Sequence, residues 1–201
     1  MRVSRAAAMG LLVLVAGCAP APGPVPQAYL FERGPYQAIY DPYGRMLRLL
    51  YDEDGDKVAD VVTVFGPNAQ VEAVETDSDH DGVVDRWDLY GANGELKEVV
   101  RARRKPGVPD YWQFFDPRGF VERQEFDEDG DGKVDRFEHF RAGKLVRVDL
   151  DTDRDGRIDR WQDWKDGQLL AENFDTNGDG KADRRITYDA DGRVLKVAVL
   201  N

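Results

Sequence analysis

The chain has 201 residues, of which 39 are Asp or Glu and 28 are Lys or Arg, so its formal net charge is -11 at pH 7. Such an acidic chain is repelled by phosphate groups, which makes nucleic acids and anionic lipid surfaces poor partners. Because there is one cysteine, no disulfide can form within a single chain, and other interactions must hold the fold.

The first element in chain order is a targeting segment, predicted over residues 1–17. Arg2 and Arg5 give it a positive start, and the apolar run over residues 6–17 is too short to span a bilayer. The run ends in Val15-Ala16-Gly17-Cys18, which resembles the lipobox of bacterial lipoproteins. The resemblance implies cleavage before Cys18 and a diacylglycerol on its sulfur, so that Cys18 is the lipidation site. The alternative is an ordinary secretory signal with a chance cysteine.

Residues 18–28, the lipidated cysteine and a proline-rich stretch, are predicted to tether the lipid to a single β-repeat domain over residues 29–201. Alternating prolines between Pro20 and Pro26 favour an extended polyproline conformation about 30 Å long. Ala19 after the cysteine resembles the sorting pattern for the outer membrane in some bacteria. The expected location is therefore the bacterial cell envelope, with a lipid anchor at the outer membrane. The sequence leaves the membrane leaflet open.

The dominant pattern of the chain is a nine-residue motif, Asp-x-Asp-x-Asp-Gly-x-x-Asp, which starts at residues 77, 127, 151 and 175. Asn177 replaces the second aspartate of the last copy, and a fifth copy from residue 52 has Lys57 in place of the glycine. Carboxylates so close together repel one another and cannot share a dry core. Calcium, a hard cation with six to eight oxygen ligands, removes that repulsion. One nonapeptide could be a solvated acidic turn, but five copies in register favour calcium binding.

The motif belongs to a repeat of 24 or 25 residues, and seven units account for residues 27–201. A unit is expected to start at residue 102, because the interval from 77 to 127 is two periods. Ala102, Arg104 and Pro106 stand at its first three ligand positions, so this unit kept its register and lost its site. The unit from residue 27 also lacks the acids. A fixed period of this length indicates a repeat architecture.

Each unit consists of a loop, an apolar segment, a glycine turn and a second apolar segment. Runs such as 145–150 and 194–200 alternate as strands do, and no ten-residue segment has helical periodicity. The sequence predicts an all-β fold, an antiparallel meander of seven β-hairpin repeats with calcium loops along one edge. Aromatic residues at unit position 14 are expected to stack from unit to unit and to supply most of the buried area. They are Tyr40, Phe65, Tyr90, Phe115, Phe140, Trp164 and Tyr188.

The loop spacing resembles calcium loops of the EF-hand, dockerin and type 3 thrombospondin families, and most closely the strand-joining loops of integrin-type propeller repeats. In those families the side chains at positions 1, 3, 5 and 9 and the carbonyl at position 7 hold the ion. The resemblance implies up to five Ca²⁺ ions, held by Asp52, Asp54, Asp56, Val58, Asp60, Asp77, Asp79, Asp81, Val83, Asp85, Asp127, Asp129, Asp131, Lys133, Asp135, Asp151, Asp153, Asp155, Arg157, Asp159, Asp175, Asn177, Asp179, Lys181 and Asp183. The loops at 77, 127 and 151 are expected to bind most strongly, since Lys57 and Asn177 weaken the other two.

The leading interpretation is a non-enzymatic, lipid-anchored repeat protein whose loops are rigidified by Ca²⁺. Its expected partners are the membrane, through the anchor, and an envelope protein or glycan, with no nucleic acid. An envelope polysaccharide hydrolase is the second interpretation, because carboxylate pairs can perform glycoside chemistry. A calcium-responsive receptor component is the third. His80 and His139 are interpreted as bystanders, since neither neighbours a nucleophile motif.

Overall fold

The computed structural model describes residues 27–200, and these residues form β-strands joined by turns and loops. Residues 1–26 lie outside this part of the chain, and with them the predicted signal segment, the lipidation site at Cys18 and most of the tether. Within residues 27–200 no helix is long and apolar enough to cross a membrane. The strands are β1 (Tyr29–Arg33), β2 (Tyr36–Tyr40), β3 (Met46–Tyr51), β4 (Val61–Phe65), β5 (Val71–Thr76), β6 (Arg86–Tyr90), β7 (Leu96–Arg101), β8 (Tyr111–Phe115), β9 (Val121–Phe126), β10 (Arg136–Arg141), β11 (Lys144–Leu150), β12 (Arg160–Lys165), β13 (Gln168–Phe174), β14 (Arg184–Tyr188) and β15 (Val194–Val199).

All fifteen strands belong to one antiparallel sheet in which each strand pairs with its neighbours in the sequence. The predicted all-β meander of hairpin repeats is therefore confirmed, and the sheet is open, with β1 and β15 at its edges. Two strands in each of seven units would give fourteen. The additional strand is β1, which occupies the place of the loop in the first unit and reaches β2 through a tight turn at Gly34.

The acidic loops and the glycine turns alternate as connections, so they lie at opposite edges of the sheet. The difference between 25-residue and 24-residue units arises at the glycine turns. Between β6 and β7 the connection is residues 91–95, whereas β10 and β11 are joined by Ala142 and Gly143 alone. Both residues have positive φ, 51° and 74°, as a two-residue hairpin turn requires.

Every hairpin that closes at the edge opposite the acidic loops, which excludes β1–β2, carries a register shift at the same place. In the β6–β7 pair the shift lies between Leu89 and Tyr90, and the same shift recurs in the other six such hairpins. The residue directly after each shift is the aromatic residue of unit position 14. An extra residue on one strand bends the hairpin and increases its twist. The aromatic residue therefore marks a β-bulge.

Burial is shallow, because the described residues form a single sheet without a second layer. All seven aromatic residues of unit position 14 are half-buried. The prediction that they stack from unit to unit is wrong, since successive units are two strands, about 10 Å, apart, and ring contacts need about 4.5–7 Å. The aromatic pairs of the described residues instead join adjacent strands, as in Tyr36–Tyr51 with ring centroids 5.0 Å apart.

Acidic side chains occupy much of the buried volume that the sheet offers. The buried apolar residues are Ala38, Val99, Val100, Ala102, Phe126, Val148 and Ala171, whereas the buried polar residues are Asp41, Asp60, Asp77, Asp110, Asp127, Asp135, Asp151 and Glu172. Six of these eight stand at the first or ninth position of a loop. The loops are therefore part of the core of the fold.

Candidate metal centres

Each loop is closed at its base by two hydrogen bonds that involve the aspartate at position 9. In the loop at 127 the Asp135 N–H donates to the Phe126 carbonyl over 2.8 Å. The Glu128 N–H donates to Asp135 Oδ2 over 2.6 Å. The same two contacts occur in the loops at 52, 77, 102, 151 and 175. Position 9 therefore fixes the ends of the loop.

The aspartate at position 1 organises the middle of the loop. Asp127 is 1% exposed, and its two carboxylate oxygens accept the N–H groups of Gly130 and Gly132 over 2.6 and 2.9 Å. Position 1 in the other four acidic loops accepts backbone N–H groups in the same way. Backbone donors stabilise the ionised form of a buried carboxylate, and each oxygen keeps lone pairs for an ion.

The pKa values of Asp77, Asp79 and Asp175 depart from the ordinary value of an aspartate. Burial raises the pKa of Asp77, but hydrogen bonds from the backbone of Gly82 and Asp81 outweigh it and hold that pKa below its ordinary value. Asp175 behaves in the same way, with donors from its own loop. The pKa of Asp79 is instead raised, first by burial and then by the charge of Asp81. At Asp79 burial and the neighbouring charges therefore outweigh the backbone donor from Asp81.

Carboxylates from positions 1, 3 and 9 converge in three loops. Their oxygens lie within 4.8 Å of one another in the groups Asp77, Asp79, Asp85; Asp127, Asp129, Asp135; and Asp151, Asp153, Asp159. These are the three loops expected to bind most strongly. The loop at 52 groups Asp52, Asp54 and Asp56 instead. The last loop does not join these acidic groups because Asn177 stands at position 3. The donor sets consist of oxygen atoms, which fit a hard cation.

The residue at position 6 adopts a left-handed conformation in every acidic loop. Gly82, Gly132, Gly156 and Gly180 have φ between 83° and 91°, and Lys57 has φ of 77°. Lys57 is therefore strained, since a side chain in this region costs roughly 1–2 kcal/mol.

The unit at 102, which lost its acids, carries a guanidinium group where the other loops gather carboxylates. Arg103 Nε lies 3.2 Å from Asp110 Oδ1, and the guanidinium carbon stands 4.8 Å from the ring centroid of Tyr111. Arg103, Arg104 and Lys105 line a cavity of about 460 Å³, and residues of the loop at 77 form its other side. A fixed positive side chain here neutralises the ninth-position aspartate.

His80 is a site residue that the sequence interpretation missed. It stands at position 4 of the loop at 77, yet its ring faces the preceding loop, with Nδ1 3.7 Å from Asp54 Oδ2 and 3.8 Å from Asp60 Oδ1. Arg154, at position 4 of its own loop, likewise contacts Asp129 of the preceding loop over 3.5 Å. The signal in the sequence was the choice at position 4 between glycine and a basic residue. His139, by contrast, contacts Asp149 on the neighbouring strand over 3.1 Å.

Consecutive loops are joined directly through their backbones. The N–H at position 1 of each unit donates to the carbonyl at position 9 of the unit before, as in Asp77 to Asp60 and Asp151 to Asp135, both over 2.8 Å. The contact also crosses the unit at 102, where the Asp127 N–H donates to the Asp110 carbonyl over 3.1 Å. A structural change in one loop is therefore transmitted first to the two neighbouring loops.

Comparison with known proteins gives no family. No protein-family model matches the sequence, and no curated protein matches it either. A crystal structure of accessory secretory protein 1, 2 and 3 in Streptococcus pneumoniae is 15% identical, with a TM-score of 0.29, over 62% of this chain and 20% of that chain. A mutant of TarM from S. aureus in complex with fondaparinux, alpha-GlcNAc-glycerol and UDP is 12% identical, with a TM-score of 0.30, over 60% and 21%. The chain thus spans about a fifth of either protein, and likeness at this level carries no functional argument.

Lys57 offers a test of the loop geometry without metal. In the presence of chelator, we expect Lys57→Gly to raise the free energy of unfolding by about 1 kcal/mol, because glycine adopts positive φ without strain. Urea unfolding measures the change. Gly82→Ala is the matched control of opposite sign, since a Cβ there meets no atom within 4 Å and adds backbone strain alone. A loss of stability in Lys57→Gly would contradict this account of position 6.

Proposed function

We propose that the protein is a calcium-binding, lipid-anchored repeat protein of the bacterial cell envelope, with a structural or partner-binding role. The observation that carries the proposal is the convergence of carboxylates from positions 1, 3 and 9 in three separate loops. A solvated acidic turn would spread its charges apart. Here the acids at positions 1 and 9 are largely withdrawn from water and turned toward one another.

Calcium is the ion that best fits the loops at 77, 127 and 151. Their donors are carboxylate oxygens, and the backbone carbonyls of Val83, Lys133 and Arg157 complete each proposed set. Up to five Ca²⁺ would bring a charge of +10. The chain without residues 1–17 loses two arginines, so its formal charge moves from -11 to -13, and the ions nearly cancel it. Extracellular calcium modules bind at roughly 10⁻⁴–10⁻³ M, and we expect this range or somewhat tighter.

Calcium would act by rigidifying the edge of the sheet. The hydrogen bonds already hold positions 1 and 9, so the ion chiefly relieves the repulsion at position 3. Each closed loop then supports the next through the backbone contact between position 9 and position 1. In repeat proteins stability spreads through such nearest-neighbour contacts. The unit at 102, with its internal guanidinium group, would continue this row without an ion.

The proposed role does not include catalysis. In the three best-formed loops the carboxylates that could serve a polysaccharide hydrolase are the same groups that gather for an ion. We propose that the partner is an envelope protein or a glycan, and that calcium controls the stiffness of the surface it meets. A receptor component would differ in one respect only, since its partner would dissociate on addition of chelator.

The lipid anchor depends on Cys18. We expect full-length protein expressed in a Gram-negative host to incorporate labelled palmitate and to fractionate with membranes. Cys18→Ser should lose the label and appear in the soluble fraction, because no other residue can form the thioether. A Cys18→Ser protein that still carries the lipid label would contradict the anchor.

Calcium should raise the thermal stability of the full-length protein. With free Ca²⁺ at one hundred times the Kd, each loop gains about 2.7 kcal/mol, so several loops together should raise the Tm by more than about 10 °C relative to chelator. Asp79→Asn should reduce this difference, yet it should not lower the Tm in chelator, because the charge at position 3 is already disfavoured there.

The control is Glu122→Gln, which removes one charge from an exposed residue of β9, at the end of the strand that follows the glycine turn. Glu122→Gln should not change the difference in Tm between calcium and chelator. A wild-type Tm that is the same in calcium and in chelator would contradict the proposal.

A further inference from the structure

We propose that the loop at 52–60, completed by His80 from the following loop, is a separate site for an imidazole-binding transition metal such as Zn²⁺. Asp54, Asp60 and His80 each place one ligand atom within 4.8 Å of the other two. The proposal does not rest on calcium at the remaining loops. The proposal requires that His80 binds the ion.

The distances around His80 suit ligands that share an ion. Its Nδ1 lies 3.7 Å from Asp54 Oδ2 and 3.8 Å from Asp60 Oδ1, too far for a hydrogen bond. Two ligands of a tetrahedral zinc ion, at bonds of about 2.0–2.1 Å, are separated by roughly 3.3 Å. A movement of a few tenths of an ångström therefore brings His80 Nδ1 to this separation from either carboxylate oxygen.

Asp60 supplies a second, independent observation. It is 3% exposed, and its Oδ2 accepts the N–H of Glu53. Its Oδ1 accepts no hydrogen bond from the described residues and is aimed at the ring of His80. The largely buried carboxylate thus keeps one oxygen free of backbone donors on the side that faces His80. A metal ion between Asp60 and His80 would use that oxygen as a ligand.

Glu53 extends the arrangement outward. Its Oε2 lies 4.0 Å from His80 Nε2, the ring nitrogen that does not face Asp54 and Asp60. Metal-bound histidines commonly donate their other N–H to a carboxylate, which fixes the ring and increases its basicity. Glu53 is placed to be this positioning residue, because it stands at position 2 of the loop whose ion His80 would share.

The site is unique within the repeat. Position 4 of the following unit, which faces the preceding loop, is occupied elsewhere by Lys105, Gly130, Arg154 and Gly178. None of these offers a ligand at neutral pH, so the other loops keep oxygen donors only. Imidazole favours Zn²⁺ and similar ions, whereas carboxylates and carbonyls favour Ca²⁺. Zn²⁺ and Ca²⁺ would also compete at this loop, since both sets use Asp54 and Asp60.

The two histidines of the chain provide the readout. Full-length protein labelled with ¹⁵N is titrated with ZnCl₂, and the ring nitrogens are followed by long-range ¹H–¹⁵N NMR, with calorimetry for the Kd. We expect one equivalent of Zn²⁺ to shift the His80 Nδ1 resonance and to leave His139 unchanged. His80→Gly should weaken this binding at least tenfold, and Glu53→Gln by about tenfold. His139→Gln is the control and should bind as the wild type does.

The His80→Gly protein should fold, because the loops at 52, 127 and 175 carry glycine at the same loop position, position 4. An unshifted His80 at excess Zn²⁺, or an unchanged Kd in His80→Gly, would overturn the proposal. Calcium added to His80→Gly should still bind at the loops at 77, 127 and 151. Zinc binding without calcium binding would therefore refute the proposed function and leave this site intact. Calcium binding without zinc binding would refute this site and leave the proposed function intact.

Discussion

Backbone N–H groups hold aspartate carboxylates inside the loops, and the rest of the structure depends on this interaction. A single sheet has little apolar volume to bury, and its most enclosed side chains include Asp127 and Asp77. Charged groups can occupy such positions only where donors or cations satisfy them. Positive φ at positions 4 and 6 allows the chain to present its N–H groups to the first aspartate, and position 9 closes the loop. The acidic motif thus stabilises the fold of the loop, and the same fold brings the carboxylate oxygens together.

The same interaction explains how a repeat without a second layer stays in register. Every unit offers the carbonyl of its ninth residue to the next unit, even at 102, where the acids are gone. There Arg103 pairs with Asp110 and lies over Tyr111, so a side chain of the protein itself supplies positive charge. The sheet therefore combines loops that gather oxygens for an ion with one unit that carries its own cation.

The meander, the positions of the loops and the glycine turns could be predicted from the sequence, because each depends on a local pattern that repeats. Strand β1 could not be predicted, because the absence of acids in the first unit does not indicate which structure replaces the loop. The bulges also escaped prediction, and Tyr90 and its counterparts were misinterpreted as a stacked column, because a register shift depends on both strands of a hairpin. His80 was missed for a related reason. Its partners Asp54 and Asp60 belong to another loop, and only the stacking of loops brings them together.

The most direct measurement is a crystal structure of the protein grown with Ca²⁺, with anomalous scattering used to locate the ions. The account predicts an ion in each of the loops at 77, 127 and 151, with carboxylate oxygens of positions 1, 3 and 9 about 2.3–2.6 Å away. It also predicts no ion beside Arg103. Loops that remain empty at millimolar Ca²⁺, with their carboxylates turned outward into water, would contradict it.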